Sequence, residues 1–150
     1  MGLTIRLAAP ADVTALLALY KALDVGDEPS LPEETARRRF AELGATPGHS
    51  IYVAEDEGRI VGTFALVFIG GLPHSGRPSS IVEDVVVVEV CRGRGIGRAM
   101  MQYAMRASAA AGCYKLALSS HLRRVEAHRF YEGLGFRRHG YSFLIEGDAA

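Results

Sequence analysis

The apolar residues of the chain change period several times along its length, and each change marks a new element. Residues 3–7 alternate apolar and polar as a short strand does. After Pro10 the apolar side chains fall at Val13, Leu16, Leu17, Tyr20 and Leu23, one face of a helix. Ser30 with Glu33 three residues on reads as a capping box, opening a second helix with Ala36, Phe40 and Leu43 inward. Residues 51–55 and 59–68 are strand-like runs around Asp56-Glu57-Gly58 and predict a hairpin. Residues 70–80, rich in Gly, Pro and Ser, predict a loop, either a substrate mouth or a solvated connection. The valine-dense run 81–90 predicts a strand buried on both faces. Ile96, Ala99, Met100, Tyr103, Ala104, Ala107 and Ala111 then form a helical stripe. Residues 114–118 predict another strand, and Ala127, Phe130, Tyr131 and Leu134 a short helix closed by Gly135. Phe136 and residues 141–145 predict closing strands. The order is β-α-α-β-β-β-α-β-α-β-β, an α/β fold with a mixed sheet, and no repeat or linker divides residues 1–150.

Composition narrows the function classes. Seventeen basic residues balance seventeen acidic ones, so no net field draws the chain to nucleic acid or membrane. The two halves differ, with seven Lys/Arg against twelve Asp/Glu through Val88 and ten against five beyond it. That division suits a cationic ligand on one side and an anionic one on the other, or solvated faces that merely differ. Cys91 and Cys113 show neither a disulfide framework nor metal-ligand spacing, and no metal is expected. No leader pattern opens the chain and no apolar run nears the ~20 residues of a membrane span. A cytoplasmic protein is the expectation.

The sharpest chemical signal is Arg92-Gly93-Arg94-Gly95-Ile96-Gly97-Arg98, set between the valine strand and the next helix. Glycines let successive N–H groups converge without side chains in the way, and a helix start adds unpaired N–H groups and a positive dipole end. Arg92, Arg94 and Arg98 can add charge-assisted contacts to a pyrophosphate. A Walker loop would need Lys after its glycines, and none follows. A Rossmann fingerprint would need a third glycine where Arg98 stands, and an acid about 20 residues on, where residues 115–120 hold none. Arg92, Gly95 and Gly97 instead fit the pattern Arg/Gln-x-x-Gly-x-Gly/Ala in full.

Ile81-Val82-Glu83-Asp84-Val85-Val86-Val87-Val88 followed by that loop resembles the cofactor motif of the GNAT N-acetyltransferases. Residues 126–136, a helix segment carrying Tyr131 and ending Gly135-Phe136, resemble the family's second motif. Gly112-Cys113-Tyr114-Lys115-Leu116 and the Glu83-Asp84 pair look most like the glucosamine-6-phosphate N-acetyltransferase members. The chain departs from those where Ser119-Ser120-His121 replaces an acid after the fifth strand, and where Arg124 replaces an asparagine.

The resemblance implies one GNAT domain over residues 1–150: a mixed, mostly antiparallel sheet with helices on both faces and strands 4 and 5 splayed. It implies acetyl-CoA as donor, a primary amine as acceptor and direct transfer in a ternary complex. By position, the backbone of Val85, Val86 and Val87 would hold the pantetheine arm, with Val87 N–H as oxyanion donor. Residues Gly93, Arg94, Gly95, Ile96, Gly97 and Arg98, with Arg92, would hold the pyrophosphate. Tyr131 corresponds to the general acid beside the sulfur, although periodicity alone makes it a core residue. Glu83 is the candidate base, directly or through water, with Asp84 second and on the opposite face if the strand is regular. His128, His121 and His74 stay open as bases, and neither cysteine has a visible base partner. Family members commonly pair through the closing strands, which implies a homodimer. Two other classes stand beside this reading: a catalytically idle acyl-CoA-binding module, and a nucleotide-binding oxidoreductase.

Overall fold

The computed structural model describes residues 2–23 and 25–147. The chain forms two compact units, Met1–Leu118 and Ser119–Ala150. In the first, five strands make one sheet in sequence order: β1 (Thr4–Leu7), β2 (His49–Asp56), β3 (Arg59–Ile69), β4 (Ser79–Val87) and β5 (Leu116–Ala117). The first three pairings are antiparallel and the fourth is parallel, the mixed sheet the sequence predicts. Helices α1 (Val13–Tyr20) and α2 (Glu33–Gly44) separate β1 from β2. Helix α3 (Ile96–Ala110) is the crossover that a parallel β4–β5 pairing requires.

The β2–β3 turn has positive φ at both Glu57 (49°) and Gly58 (78°), the geometry whose twist matches a tight hairpin. Strand β3 is central, and residues 61–66 are buried without a break, as a strand covered on both faces must be. One face carries α3: Tyr52 stacks on Phe64 at 5.2 Å, and Tyr103 of α3 tilts against Tyr52 at 5.0 Å. Met100, Met101 and Ala104 of the same helix are fully buried. A Cβ at Gly62 would stand 2.7 Å from Met100 Sδ and 3.1 Å from the Val86 carbonyl, so glycine lets α3 approach there. The other face carries α1, whose Tyr20 sits by Thr63 and Asp84.

Several elements differ from the sequence expectation. Helix α1 spans only Val13–Tyr20, after a 3-10 turn at Pro10–Asp12. The residue before α2 is Pro32 and no side chain caps that helix, so Ser30–Glu33 is not a capping box. Glu33 is instead the first helical residue, taking hydrogen bonds from the Thr14 hydroxyl and from Arg37 Nη2 at 2.8 Å. Strand β4 runs Ser79–Val87 rather than to residue 90, because Glu89–Cys91 turns into a 3-10 helix. Strand β5 keeps two of the five residues expected of it.

In the second unit, α4 (Val125–Gly133) ends with Gly135 at φ 100° and Phe136 N–H bonded to the Tyr131 carbonyl at 3.1 Å, the expected glycine stop. The closing strands are absent among the described residues: positions 136–147 hold none. Tyr141, Phe143, Leu144 and Ile145 are 80–91% exposed. Strand-prone residues do not make a strand without a ladder partner, and none of the described backbone supplies one here.

Candidate active site

Strand β4 is interrupted where the chemistry is expected. Ala65 pairs with Glu83 and Thr63 with Val86, so Asp84 and Val85 together oppose Phe64. This is a β-bulge, and Asp84 takes φ 53°, a left-handed conformation that aspartate tolerates better than most residues. The strand is therefore not regular, and the expectation that Glu83 and Asp84 face opposite ways fails. Glu83 follows Ser79 and Ile81 onto the α1 face, and Asp84 is close enough to Tyr20 to act on its phenol. Burial, and then the neighbouring Asp84 charge, push the Glu83 carboxyl above its ordinary range. Burial, then Asp84, push the Tyr20 phenol up, with the Thr63 hydroxyl pulling it back. Neither Glu83 nor Asp84 has an ion-pair partner among the described residues. Sequence reasoning placed Tyr20 only as one apolar position of a helix stripe. Nothing in the sequence marks it as a neighbour of Asp84, because the bulge that brings them together is invisible there.

The same strand opens on its other edge. The β4–β5 ladder has two pairs, Ser80 with Leu116 and Ile81 with Ala117, and then stops. Residues 82–87 thus have no β5 partner, as a splayed fourth and fifth strand requires. Val88 N–H bonds back to the Val61 carbonyl of β3 at 2.9 Å, so by alternation Val87 turns its N–H and C=O toward the open side. Arg92 Nε donates to that Val87 carbonyl at 3.3 Å. The strand end and the loop after it are joined by this bond.

Gly93 and Gly95 take φ of 77° and 81°, and open space surrounds the place where a Cβ would project from either. Gly95 is the N-cap of α3 and brings no side chain to cap it. The first helical bond is Ala99 N–H to the Gly95 carbonyl at 3.0 Å, which leaves the N–H groups of Ile96, Gly97 and Arg98 without an intrahelical acceptor. An anion with several oxygens fits that cradle. The arginines divide. Arg94 Nη2 pairs with Asp56 Oδ2 at 3.2 Å, and Arg92 is held to β4, whereas Arg98 is exposed and has no ion pair with a described residue.

In the second unit Tyr131 packs edge-on against Phe130 at 5.2 Å and Phe136 at 5.8 Å. Burial pushes its phenol up, opposed by the charge of Arg124, and its hydroxyl makes no hydrogen bond with a described residue. His128 Nε2 lies 2.9 Å from the His121 carbonyl oxygen, so local backbone occupies it. Among the described residues no group of three or more potential metal ligands occurs.

An unzipped strand edge leading into converging N–H groups, beside two carboxylates with no ion-pair partner among the described residues, has the shape and the donors that suit an extended ligand ending in phosphate. Residues 47–138 match the acetyltransferase (GNAT) domain model, and the chain belongs to that family. It is 37% identical to glucosamine 6-phosphate N-acetyltransferase of Trypanosoma brucei brucei over 59% of this chain and 58% of that one. It is 38% identical to glucosamine 6-phosphate N-acetyltransferase 1 of rice (Oryza sativa subsp. japonica) over 72% and 66%. The chain thus spans about three fifths to two thirds of the curated relatives it matches. A solved structure of an Agrobacterium tumefaciens str. C58 protein named as an acetyltransferase superposes with a TM-score of 0.90, at 36% identity, over 95% of this chain and 99% of that one.

Proposed function

We propose that this protein transfers the acetyl group of acetyl-CoA directly to a primary amine, with donor and acceptor bound together. The observation that carries this is the continuity of residues 83–98: two carboxylates with no cation partner among the described residues, an unpaired edge of β4 and then the uncapped start of α3 follow one another along the chain. When bound, acetyl-CoA supplies a thioester carbonyl activated for attack by nitrogen. The chain's own groups do the rest. The N–H groups from Gly93 to Arg98, with the Arg92 and Arg98 charges, hold the pyrophosphate. The open edge at Val85, Val86 and Val87 pairs with the amide groups of the pantetheine arm as a strand would. Val87 N–H faces the open side, and in this reading donates to the carbonyl oxygen as negative charge develops there.

Glu83 takes the proton from the ammonium, directly or through a water. Its raised pKa matches that task better than an ordinary carboxylate, and Asp84 adds the charge that raises it. The absence of a partner cation among the described residues leaves the Glu83–Asp84 pair to receive the acceptor's ammonium. Tyr131 is proposed, on the family correspondence, to protonate the departing thiolate; its raised pKa means that it still carries its proton at neutral pH. A carboxylate pair with no cation partner among the described residues also favours an enzyme over an idle acyl-CoA-binding module, which has no use for it. The relatives named above make an amino sugar phosphate an acceptor to test first, although Ser119-Ser120-His121 departs from the sequence pattern of those relatives.

Residues 1–150 are proposed to work as one acetyltransferase domain, since the family match at 47–138 takes in parts of both compact units. No described helix is long and apolar enough to cross a membrane. A cytoplasmic homodimer is proposed, supported by the exposed apolar residues at 141–145, which want a partner surface. Calorimetric titration with acetyl-CoA tests the donor site. Submicromolar to micromolar affinity that Gly95→Val weakens at least tenfold supports it, and equal affinity in both proteins removes the loop from the reading.

A further inference from the structure

The first residues of β4 close the fork whose open part runs along residues 82–87. Ser80 stands in the first of the two pairs that zip β4 to β5, opposite Leu116. Its side chain is buried, and so is that of Ser108 near the end of α3. The two hydroxyl oxygens are 2.8 Å apart, and the Lys115 carbonyl lies 3.0 Å from Ser80 Oγ. A serine hydroxyl has a single proton to give. Both bonds are made when Ser108 donates to Ser80 Oγ and Ser80 donates to the carbonyl. That carbonyl also accepts the Ser80 N–H at 2.9 Å, and Tyr114 N–H reaches the Pro78 carbonyl at 2.9 Å just before it. Ser108 acts in a second direction, because its own carbonyl takes Cys113 N–H at 3.0 Å and holds the turn from α3 into β5. The pair therefore ties the start of β4, the end of α3 and the start of β5 at one buried point.

Stability alone does not explain two serines there. Replacing both partners of a buried hydrogen bond by apolar groups is close to neutral for folding, whereas removing one leaves a polar atom unmet. What the pair adds is direction. Strand β4 is paired with β3 from Ser79 to Val87 apart from the bulge, so it is the fixed arm of the fork. The end of α3 and β5 form the other arm, held to β4 by two ladder pairs and the hydroxyl chain. The angle between the arms at Ser80 sets how far the slot beside residues 82–87 opens. At the far end of that slot, Arg92 Nε is bonded to the Val87 carbonyl.

Resting on the acyltransferase reading above, we infer that Ser80 and Ser108 are positioning residues for the donor. Their hydroxyl bond fixes the opening between β4 and β5 at the width the pantetheine arm of acetyl-CoA needs, and both side chains are too buried to touch the ligand themselves. A slot set in advance spares the donor the cost of ordering it.

The test compares a ligand that uses the slot with one that does not. Acetyl-CoA spans the slot and the loop at 93–98, whereas ADP carries a pyrophosphate and no pantetheine arm. Full-length Ser80→Ala, Ser108→Ala and the double variant are titrated with acetyl-CoA by calorimetry, beside melting curves, and ADP is read by its competition with acetyl-CoA. Each single variant should bind acetyl-CoA about fivefold or more weakly, the scale of one hydrogen bond. The double variant should be no weaker than the weaker single, because all three lose the same bond. Its melting temperature should stay near that of wild type, so it carries the test if a single variant fails to fold. ADP affinity should stay within about twofold throughout. Ser108→Cys, similar in size with a weak S–H donor, should fall between serine and alanine. Wild-type acetyl-CoA affinity in the double variant, or equal losses for acetyl-CoA and ADP, overturns the inference while leaving acyl transfer standing. Wild-type protein with no measurable acetyl-CoA binding overturns both.

Discussion

At the scale of single residues, the roles proposed for Tyr131 and for the acidic pair make separable claims. Tyr131→Phe keeps the ring between Phe130 and Phe136 and removes a hydroxyl that bonds to no described residue. Stability should therefore change by less than about 1 kcal/mol. Turnover should fall by roughly 10²–10⁴ on an acceptor for which chemistry limits the rate, as read by stopped-flow thiol release beside a melting curve. A core-only tyrosine would show the reverse, a shifted melting temperature with near-normal kcat. Glu83 carries a sign that can be checked. Its carboxyl is raised by burial and by Asp84, so Asp84→Asn, which suits the left-handed position, should lower it. The acidic limb of the kcat profile should then move to lower pH. Glu83→Gln should abolish that limb and most of the turnover. It should also leave the fold as stable or more so at neutral pH, because a carboxyl whose folded pKa is raised stabilises below its unfolded pKa and loses that contribution as pH rises through the folded value. The sequence offers these groups as candidates; the placement of Glu83 and Asp84 relative to each other was not legible there. Glu83 and Asp84 read as facing opposite ways because alternation assumes a regular strand, and a bulge leaves no mark in a run of valines.

At the scale of elements, the glycine loop and the start of α3 were the most legible part of the molecule. A positive-φ requirement and an uncapped helix start both have residue signatures, here Gly93 and Gly95. The loop allows stability and binding to be set against each other. Gly97 lies in the first turn of α3, so Gly97→Leu should gain helix propensity, about 0.5–1 kcal/mol, visible as a higher melting temperature. The same change should weaken acetyl-CoA binding by blocking the backbone from the pyrophosphate. Joint stabilisation and tighter binding would show that the first turn does not touch the ligand. Less legible were the ends of elements that depend on a partner. Ser30 looked like a cap, yet the helix starts after Pro32, and Glu33 serves Thr14 and Arg37 instead. Strand β5 shrank to two residues because pairing with β4 stops at Ile81, a tertiary event that propensity does not record.

At the scale of the whole molecule, residues 141–145 read as a strand and show none among the described residues, with four large apolar side chains in solvent. In the homodimer proposed above, a second copy covers these side chains. Sedimentation should therefore show a dimer of the 16.1 kDa chain at micromolar concentration, and Phe143→Asp with Ile145→Asp should shift it to monomer. A monomer at high micromolar wild-type concentration would remove the dimer. The family and the fold support the acetyl transfer proposed above, and one measurement addresses it most directly: thiol release from acetyl-CoA across a panel of amino sugars, polyamines, amino acids, aminoglycosides and peptides, with products weighed by mass spectrometry. Amine-dependent release, matched by a product heavier by one acetyl group on nitrogen, is the expected result. Tight acetyl-CoA binding with no amine-dependent release across the panel would contradict it, and would leave a protein that binds the donor without using it.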